Sequence, residues 1–239
     1  MSDLDAATPR VFLVRHGETE WTKNGRYTGR TDLELTPAGI KQVTGTASHM
    51  VGHGKLIDPA RIARIWVSPR KRAQQTLGYL FNIDPQSADS AASRDLAEKF
   101  TTTEDIAEWD YGDYEGLKTK EIHVKRKDKG LDQEKEWDIW RDGCEGGESA
   151  EQVTARLDRL ISQIRDVQRP GFGGEKPCDV VLVAHGHILR AFAKRWLRYP
   201  LDTPLAMMMS PGAIAVLSFR NRDIDQPGFY IGMSLPSQG

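Results

Sequence analysis

The chain has 239 residues, of which 38% are hydrophobic and 28% charged, and its formal net charge is −1. That length suits one well-buried domain, so residues 1–239 are read as a single unit with a flexible stretch at 1–9. The composition excludes the disordered class, and the near-neutral charge gives no global attraction to nucleic acid or anionic membrane, so an anionic ligand needs a local positive cluster.

The opening "MSDLDAATPR" lacks the basic, apolar and small-residue succession of a signal peptide. No run of about 18 apolar residues follows it, so a cytoplasmic protein without a membrane span is expected. Cys144 and Cys178 have no metal-ligand spacing and are read as free thiols.

"VFLV" (Val11 to Val14), "RIWVS" (Arg64 to Ser68) and "VVLVAH" (Val180 to His185) are short continuous apolar runs, the pattern of strands covered on both faces. Between them, Thr36-Pro37 opens a helix with Thr36 as N-cap, and Ser68-Pro69 is expected to open another in the same way. The charged stretch "KTKEIHVKRKDKG" is read as a solvated helix rather than a nucleic-acid site. From Ser149 to Gln168, Val153, Leu157, Leu160, Ile161, Ile164 and Val167 recur at helical spacing, and "RPGFGGEKP" (Arg169 to Pro177) ends that helix in a surface turn. "GAIAVLSF" and "GFYIGM" read as an antiparallel pair at a sheet edge.

Alternating strands and helices imply an α/β fold with three layers, α/β/α, and a mostly parallel central sheet. In such folds ligands collect outside the carboxyl ends of the strands. Arg15-His16 ends one strand there, and His185-Gly186-His187 ends another. If the two strands are neighbours, imidazoles and a guanidinium share a crevice of phosphate size. Guanidinium groups bind phosphate oxygens through a planar fork, and a neutral imidazole can attack phosphorus. The same histidines could ligate a metal, but a two-metal site needs several carboxylates where these strand ends offer Arg and Gly, so no metal and no cofactor are expected.

"VRHGETEW" resembles the Arg-His-Gly signature of the histidine phosphatase superfamily. Further motifs follow in the family's order: "SPRKRAQQT" with Arg72, "AEWDYGDYEG" with Glu108, "GGES" at Gly146 to Ser149, and "AHGHILR" with His185. Within the phosphoglycerate mutase-like branch the chain is most similar to the fungal sedoheptulose-1,7-bisphosphatase group, through "GRYTGRTDLELTP", "EWDYGDYEG" and "WDIWRDGCEGGES". The resemblance implies that His16 is the nucleophile that becomes phosphorylated, that Arg15, Arg72 and His185 hold the phosphoryl group with Gly17 leaving room for it, and that Glu108 is the general acid. It also implies that Tyr27, Thr28, Trp109, Tyr111 and Arg190 line or border a pocket for a small phosphorylated sugar. Asp110, Asp113 and Glu115 are the competing carboxylates for the acid, and Trp137 and Trp140 are read as packing residues.

One departure bears on substrate. Members of that group carry a longer segment between the "HGH" helix and the following strand, whereas "RYPLDTPLAMMMSPGAIAVLSF" is short, so a monophosphate or a smaller bisphosphate is admissible beside heptulose bisphosphate. Phosphoglycerate mutase-type transfer and a phosphate-binding regulatory protein without turnover are the alternatives. No coiled-coil heptads mark an oligomer.

Overall fold

Each of the three apolar runs becomes a strand whose alternate residues pack on opposite sides of one sheet. The computed structural model describes residues 8–83, 96, 98–173 and 176–232. Its sheet contains β1 (Val11–Arg15), β2 (Ile62–Val67), β3 (Phe100–Thr102), β4 (Asp179–Ala184), β5 (Ile214–Phe219) and β6 (Pro227–Phe229), in the order β3-β2-β4-β1-β5-β6. β3, β2, β4 and β1 are mutually parallel, and β5 runs antiparallel to both β1 and β6. The anticipated antiparallel edge pair is therefore present; Met233 of its second segment lies outside the described residues.

Two helices cover one face and two the other. α1 (Pro37–Met50) and α2 (Lys71–Phe81) bury Val43, Ala73, Leu77 and Leu80 against Phe12, Val14, Val181 and Val183. α4 (Ala150–Gln168) and α5 (Gly186–Trp196) bury Val153, Leu157, Leu160, Ile188 and Phe192 against Val11, Leu13, Val180 and Leu182. The period of two along the strands and of about 3.6 along the helices thus produces the three layers. The charged stretch forms α3 (Thr119–Asp128), which buries only Ile122. Among the described residues no helix is long and apolar enough to cross a membrane.

Capping explains where the helices begin. Thr36 Oγ1 accepts from Gly39 N at 3.0 Å, with Pro37 at the first helical position. Ser149 and Gln152 form a reciprocal capping box at the start of α4. Ser68 does not cap α2: the N-cap is Arg70, without a side-chain bond. The reason is that Ser68 is still tied to the sheet, its N–H donating to Val183 O at 3.0 Å, so the chain needs two more residues to turn.

One other expectation changes, and one strand is added. Residues 1–7 of the supposed flexible stretch lie outside the described residues, but Thr8 and Pro9 are buried, and Pro9 O accepts from Ser218 Oγ at 2.9 Å. β3 was not anticipated, because "FTT" is too short to show a period. It is β-branched and aromatic, which suits an edge strand pairing with β2. In the Pro/Gly-rich segment, Arg169–Gly171 make one 3-10 turn, and residues 174 and 175 lie outside the described set.

Candidate active site

β1 and β4 are neighbours, with Arg15 opposite Ala184, so the two histidine-bearing strand ends do meet. The register continues one residue past the strand, since His16 N donates to Ala184 O at 2.9 Å. The next residue must be glycine for a packing reason. A Cβ on Gly17 would stand 2.5 Å from Gly39 O and 2.9 Å from Val43 Cγ2, and one on Gly39 would collide with Glu18 O. Gly17 therefore lets the loop lie against α1; this replaces the expectation that it clears space for a phosphoryl group.

His16 is buried, and its Nδ1 is 2.7 Å from Gly17 O. A carbonyl oxygen can only accept, so Nδ1 carries the proton and Nε2 keeps its lone pair. Burial first, then the charges of Arg72 and Arg15, push the pKa of His16 well below the usual histidine range, although the bond to Gly17 opposes them. A neutral ring with a free Nε2 is the nucleophilic form.

His185 is fixed in the opposite tautomer. Arg72 Nε, which can only donate, is 3.0 Å from His185 Nδ1, and His185 Nε2 is 2.7 Å from Ser68 Oγ. Nε2 therefore carries the proton and gives it to the serine. The two rings meet edge to face, with centroids 5.0 Å apart. Both nitrogens of His185 are engaged, so in this arrangement it orients Arg72 rather than presenting a free donor to a ligand. Ser68, expected as a helix cap, instead joins this hydrogen-bond network; its position at the end of β2, level with Arg15, was the available signal.

Arg72 is fully buried and donates through Nη1 to Thr31 O and through Nη2 to Thr28 O and Gly29 O, besides its bond to His185. One Nη1 hydrogen remains of the guanidinium's roughly five. Arg15 is more open: Nη1 donates to Met209 O, while its buried Nε has no partner among the described residues. Gly186 lets this guanidinium approach, since a Cβ there would lie 3.2 Å from Arg15 Cζ. Burial lowers the pKa of both arginines and Glu108 opposes the shift in each, but guanidinium groups stay cationic near neutrality.

Glu108 sits at the N-terminus of α5. Its Oε1 accepts from Trp109 N at 3.0 Å and Ile188 N at 2.9 Å, and its Oε2 accepts from His187 N at 3.1 Å. The helix supplies otherwise unpaired N–H groups, and the carboxylate satisfies two of them. The competing acids are all committed elsewhere. Glu115 accepts from Gly29 N and Thr31 N, Asp110 pairs with Arg30 at 2.7 Å, and Asp113 pairs with Lys129 at 3.4 Å.

Two further residues hold the Glu108 loop. Arg156 grips Glu148 through Nε at 2.7 Å and Nη2 at 2.9 Å, and its Nη1 donates to Ala107 O at 2.9 Å. Glu148 in turn accepts from Asp110 N at 2.9 Å, so the backbone is pinned on both sides of Glu108. The signal in the sequence was an arginine inside the apolar stripe Val153, Leu157, Leu160. Of the "GGES" glycines, Gly147 is required by its close approach to Asp110 O.

The pocket residues divide by what they expose. Trp109 is fully buried and its Nε1 donates to Glu148 O at 2.9 Å, so it supports Glu108 from the core and does not line a pocket. Thr28 turns its hydroxyl to Arg26 O at 3.2 Å and offers its carbonyl to Arg72, so it holds the arginine instead of facing a substrate. Tyr27, Tyr111 and Trp140 surround His187, with ring centroids 5.3, 5.7 and 5.6 Å from the imidazole. Arg190 is half-buried, anchored by Nε on Gly186 O at 2.9 Å, and lies 5.5 Å over Trp140. Trp137 is buried in the core cluster, and Trp140 is partly buried against it. Among the described residues no three of His, Cys, Asp and Glu converge as a metal site.

The buried histidines make stability pH-dependent. In an unfolded chain His16, His185 and His187 all titrate near ~6.5. Above that pH both states are neutral and nothing is gained or lost. Below it the unfolded chain binds protons that the fold refuses, so stability falls as pH drops from about 6.5 toward the depressed folded values. His16, His185 and His187 together give a slope of up to about 4.1 kcal/mol per pH unit. Urea unfolding across about pH 7 to 5 measures it, and a flat profile would contradict the neutral histidines.

The family model described as "Histidine phosphatase superfamily (branch 1)" matches residues 11–226. A sedoheptulose 1,7-bisphosphatase from Saccharomyces cerevisiae is 36% identical, covering 94% of this chain and 92% of that one. An acid phosphatase from Mycobacterium tuberculosis is 34% identical over 89% of this chain and 87% of its own length. A solved Mycobacterium tuberculosis protein superposes with a TM-score of 0.64 at 28% identity, covering 93% of this chain and 96% of that chain. With the motifs matched in order and the strand ends assembled as they require, the chain belongs to the histidine phosphatase superfamily, branch 1, and is an enzyme of that family.

Proposed function

We propose that the enzyme is a metal-independent phosphatase that hydrolyses a phosphorylated sugar through a phosphohistidine on His16. The observation that carries this reading is the bond from His16 Nδ1 to Gly17 O, which leaves Nε2 unprotonated beside two guanidinium groups. In the first half-reaction Nε2 attacks phosphorus, the P–O bond to the sugar breaks, and Glu108, in its protonated form, gives its proton to the departing oxygen. In the second, water attacks phosphorus, the Glu108 carboxylate takes the water's proton and so regains its acid form, and the P–N electron pair returns to Nε2. Arg15, through its unpartnered Nε, and Arg72, through its remaining Nη1 hydrogen, stabilise the transferring oxygens, with His185 and Ser68 behind Arg72.

Tyr27, Tyr111 and Arg190 border the leaving-group side. Support for hydrolysis of a sugar ester comes from the similarity to a sedoheptulose bisphosphatase and to an acid phosphatase. The connection from α5 to β5 spans only residues 197–213, so a monophosphate or a smaller bisphosphate fits the reading as well as a heptulose bisphosphate.

A panel of sugar mono- and bisphosphates and phosphoglycerates tests it. Release of inorganic phosphate from sugar esters, unaffected by a chelator, is the expected result. Isomerisation of phosphoglycerate without phosphate release would make the enzyme a mutase, and tight binding without turnover would make it a binder.

A further inference from the structure

His187 is a histidine of the site to which the phosphoryl chemistry gives no role. Its backbone N–H donates to Glu108 Oε2 at 3.1 Å, so its ring starts beside the carboxyl group that serves the leaving oxygen. The ring is held on three sides: stacked on Tyr27 at 23°, edge-on to Tyr111 at 77°, and tilted against Trp140 at 55°. Its Nδ1 lies 2.7 Å from Tyr111 Oη.

That bond has one direction. Tyr111 is buried, and its hydroxyl has no other hydrogen-bond partner among the described residues. Burial, then the neighbouring carboxylate of Glu108, raises its pKa well above the usual phenol value, so the phenol keeps its proton. A buried O–H without another acceptor must give that proton to the imidazole. Nδ1 then accepts, and Nε2 carries the ring's proton. Burial and the charges of Arg190 and Arg15 keep the ring neutral. Nε2 has no hydrogen-bond partner among the described residues and is not sealed off from solvent. The result is a fixed, uncharged donor on the leaving-group side of the site, next to a glutamate.

We propose that His187 determines specificity by donating Nε2–H to an oxygen on the leaving group next to the scissile ester, which selects phosphate esters of polyhydroxylated carbon chains over esters that lack such an oxygen. This rests on the phosphatase reading and narrows it to a substrate class. A site built to hydrogen-bond a substrate oxygen rejects the analogue without it, because the donor is then left unpaired.

The test compares kcat/KM for a sugar phosphate with kcat/KM for p-nitrophenyl phosphate in the wild type and in His187→Ala, His187→Asn and His187→Gln. The ratio of the two constants is unaffected by the fraction of enzyme that folds. The asparagine amide reaches only the Nδ1 position, whereas the glutamine amide reaches Nε2. The sugar-to-aryl ratio is expected to fall about tenfold or more in the alanine and asparagine variants, and by less in glutamine. A smaller fall in alanine, or a ratio preserved better by asparagine than by glutamine, overturns the proposal. A wild type that hydrolyses the aryl ester but no sugar phosphate overturns it while leaving a phosphatase. A wild type that hydrolyses neither overturns the phosphatase reading itself.

Discussion

His16→Ala is expected to lose both turnover and the phosphoenzyme, with kcat falling by at least about 10⁴-fold, the scale seen when a covalent nucleophile is removed. Alanine also leaves Gly17 O without its donor and opens a hole in a buried position. His16→Asn separates the two effects. Its amide nitrogen takes the place of Nδ1 and keeps the bond to Gly17, while nothing takes the place of Nε2. That variant should unfold at nearly the wild-type urea midpoint and remain inert. Rapid quench with labelled substrate provides the direct readout: the wild type should carry label that is lost in acid and kept in base, as a P–N bond requires, and both variants should carry none. Label on another residue, or turnover in the asparagine variant, would end the covalent mechanism.

Position was easier to read from sequence than orientation. An apolar run ending in Arg-His-Gly or in His-Gly-His marks a parallel strand and its reactive end, because burial on both faces demands continuous hydrophobicity and the crevice demands the opposite. Periodicity likewise placed α4 and the edge pair. What each side chain points at depends on residues far away in the chain. Ser68 looked like a helix cap, since Ser-Pro before a helix usually is one, yet its hydroxyl meets His185, 117 residues on. Trp109 and Thr28 stand in motif positions that touch the site, but through their backbone N–H and C=O groups. Gly17 looked like space for a ligand, and the space is filled by α1.

The tautomers are the furthest from sequence and the closest to the chemistry. Three imidazoles share one crevice, and each is locked by a different partner: a carbonyl for His16, a guanidinium for His185, a phenol for His187. A carbonyl accepts, whereas a guanidinium donates, so adjacent rings of identical composition present a lone pair in one case and a proton in the other. Burial keeps all three neutral, which leaves positive charge at the site to the arginines.

Glu108→Gln should reduce kcat for sugar phosphates by about 10²- to 10⁴-fold, the range of a general acid–base contribution. The substitution is not silent structurally. Its carbonyl oxygen can replace Oε1, which accepts two N–H groups, but its amide then faces His187 N–H, donor against donor. That conflict is expected to cost about 1–3 kcal/mol of stability, visible as a lower urea midpoint. The two half-reactions then come apart with leaving group. A p-nitrophenolate departs without needing a proton, so the variant should still phosphorylate His16 from p-nitrophenyl phosphate and then stall, because no base activates water. The signature is a burst of p-nitrophenol near one equivalent per enzyme, with label accumulating on His16. A sugar alkoxide does need the proton, so sugar phosphates should give no burst. Wild-type turnover of sugar phosphates would remove Glu108 from the mechanism, and steady turnover of the aryl ester without a burst would assign water activation to another group.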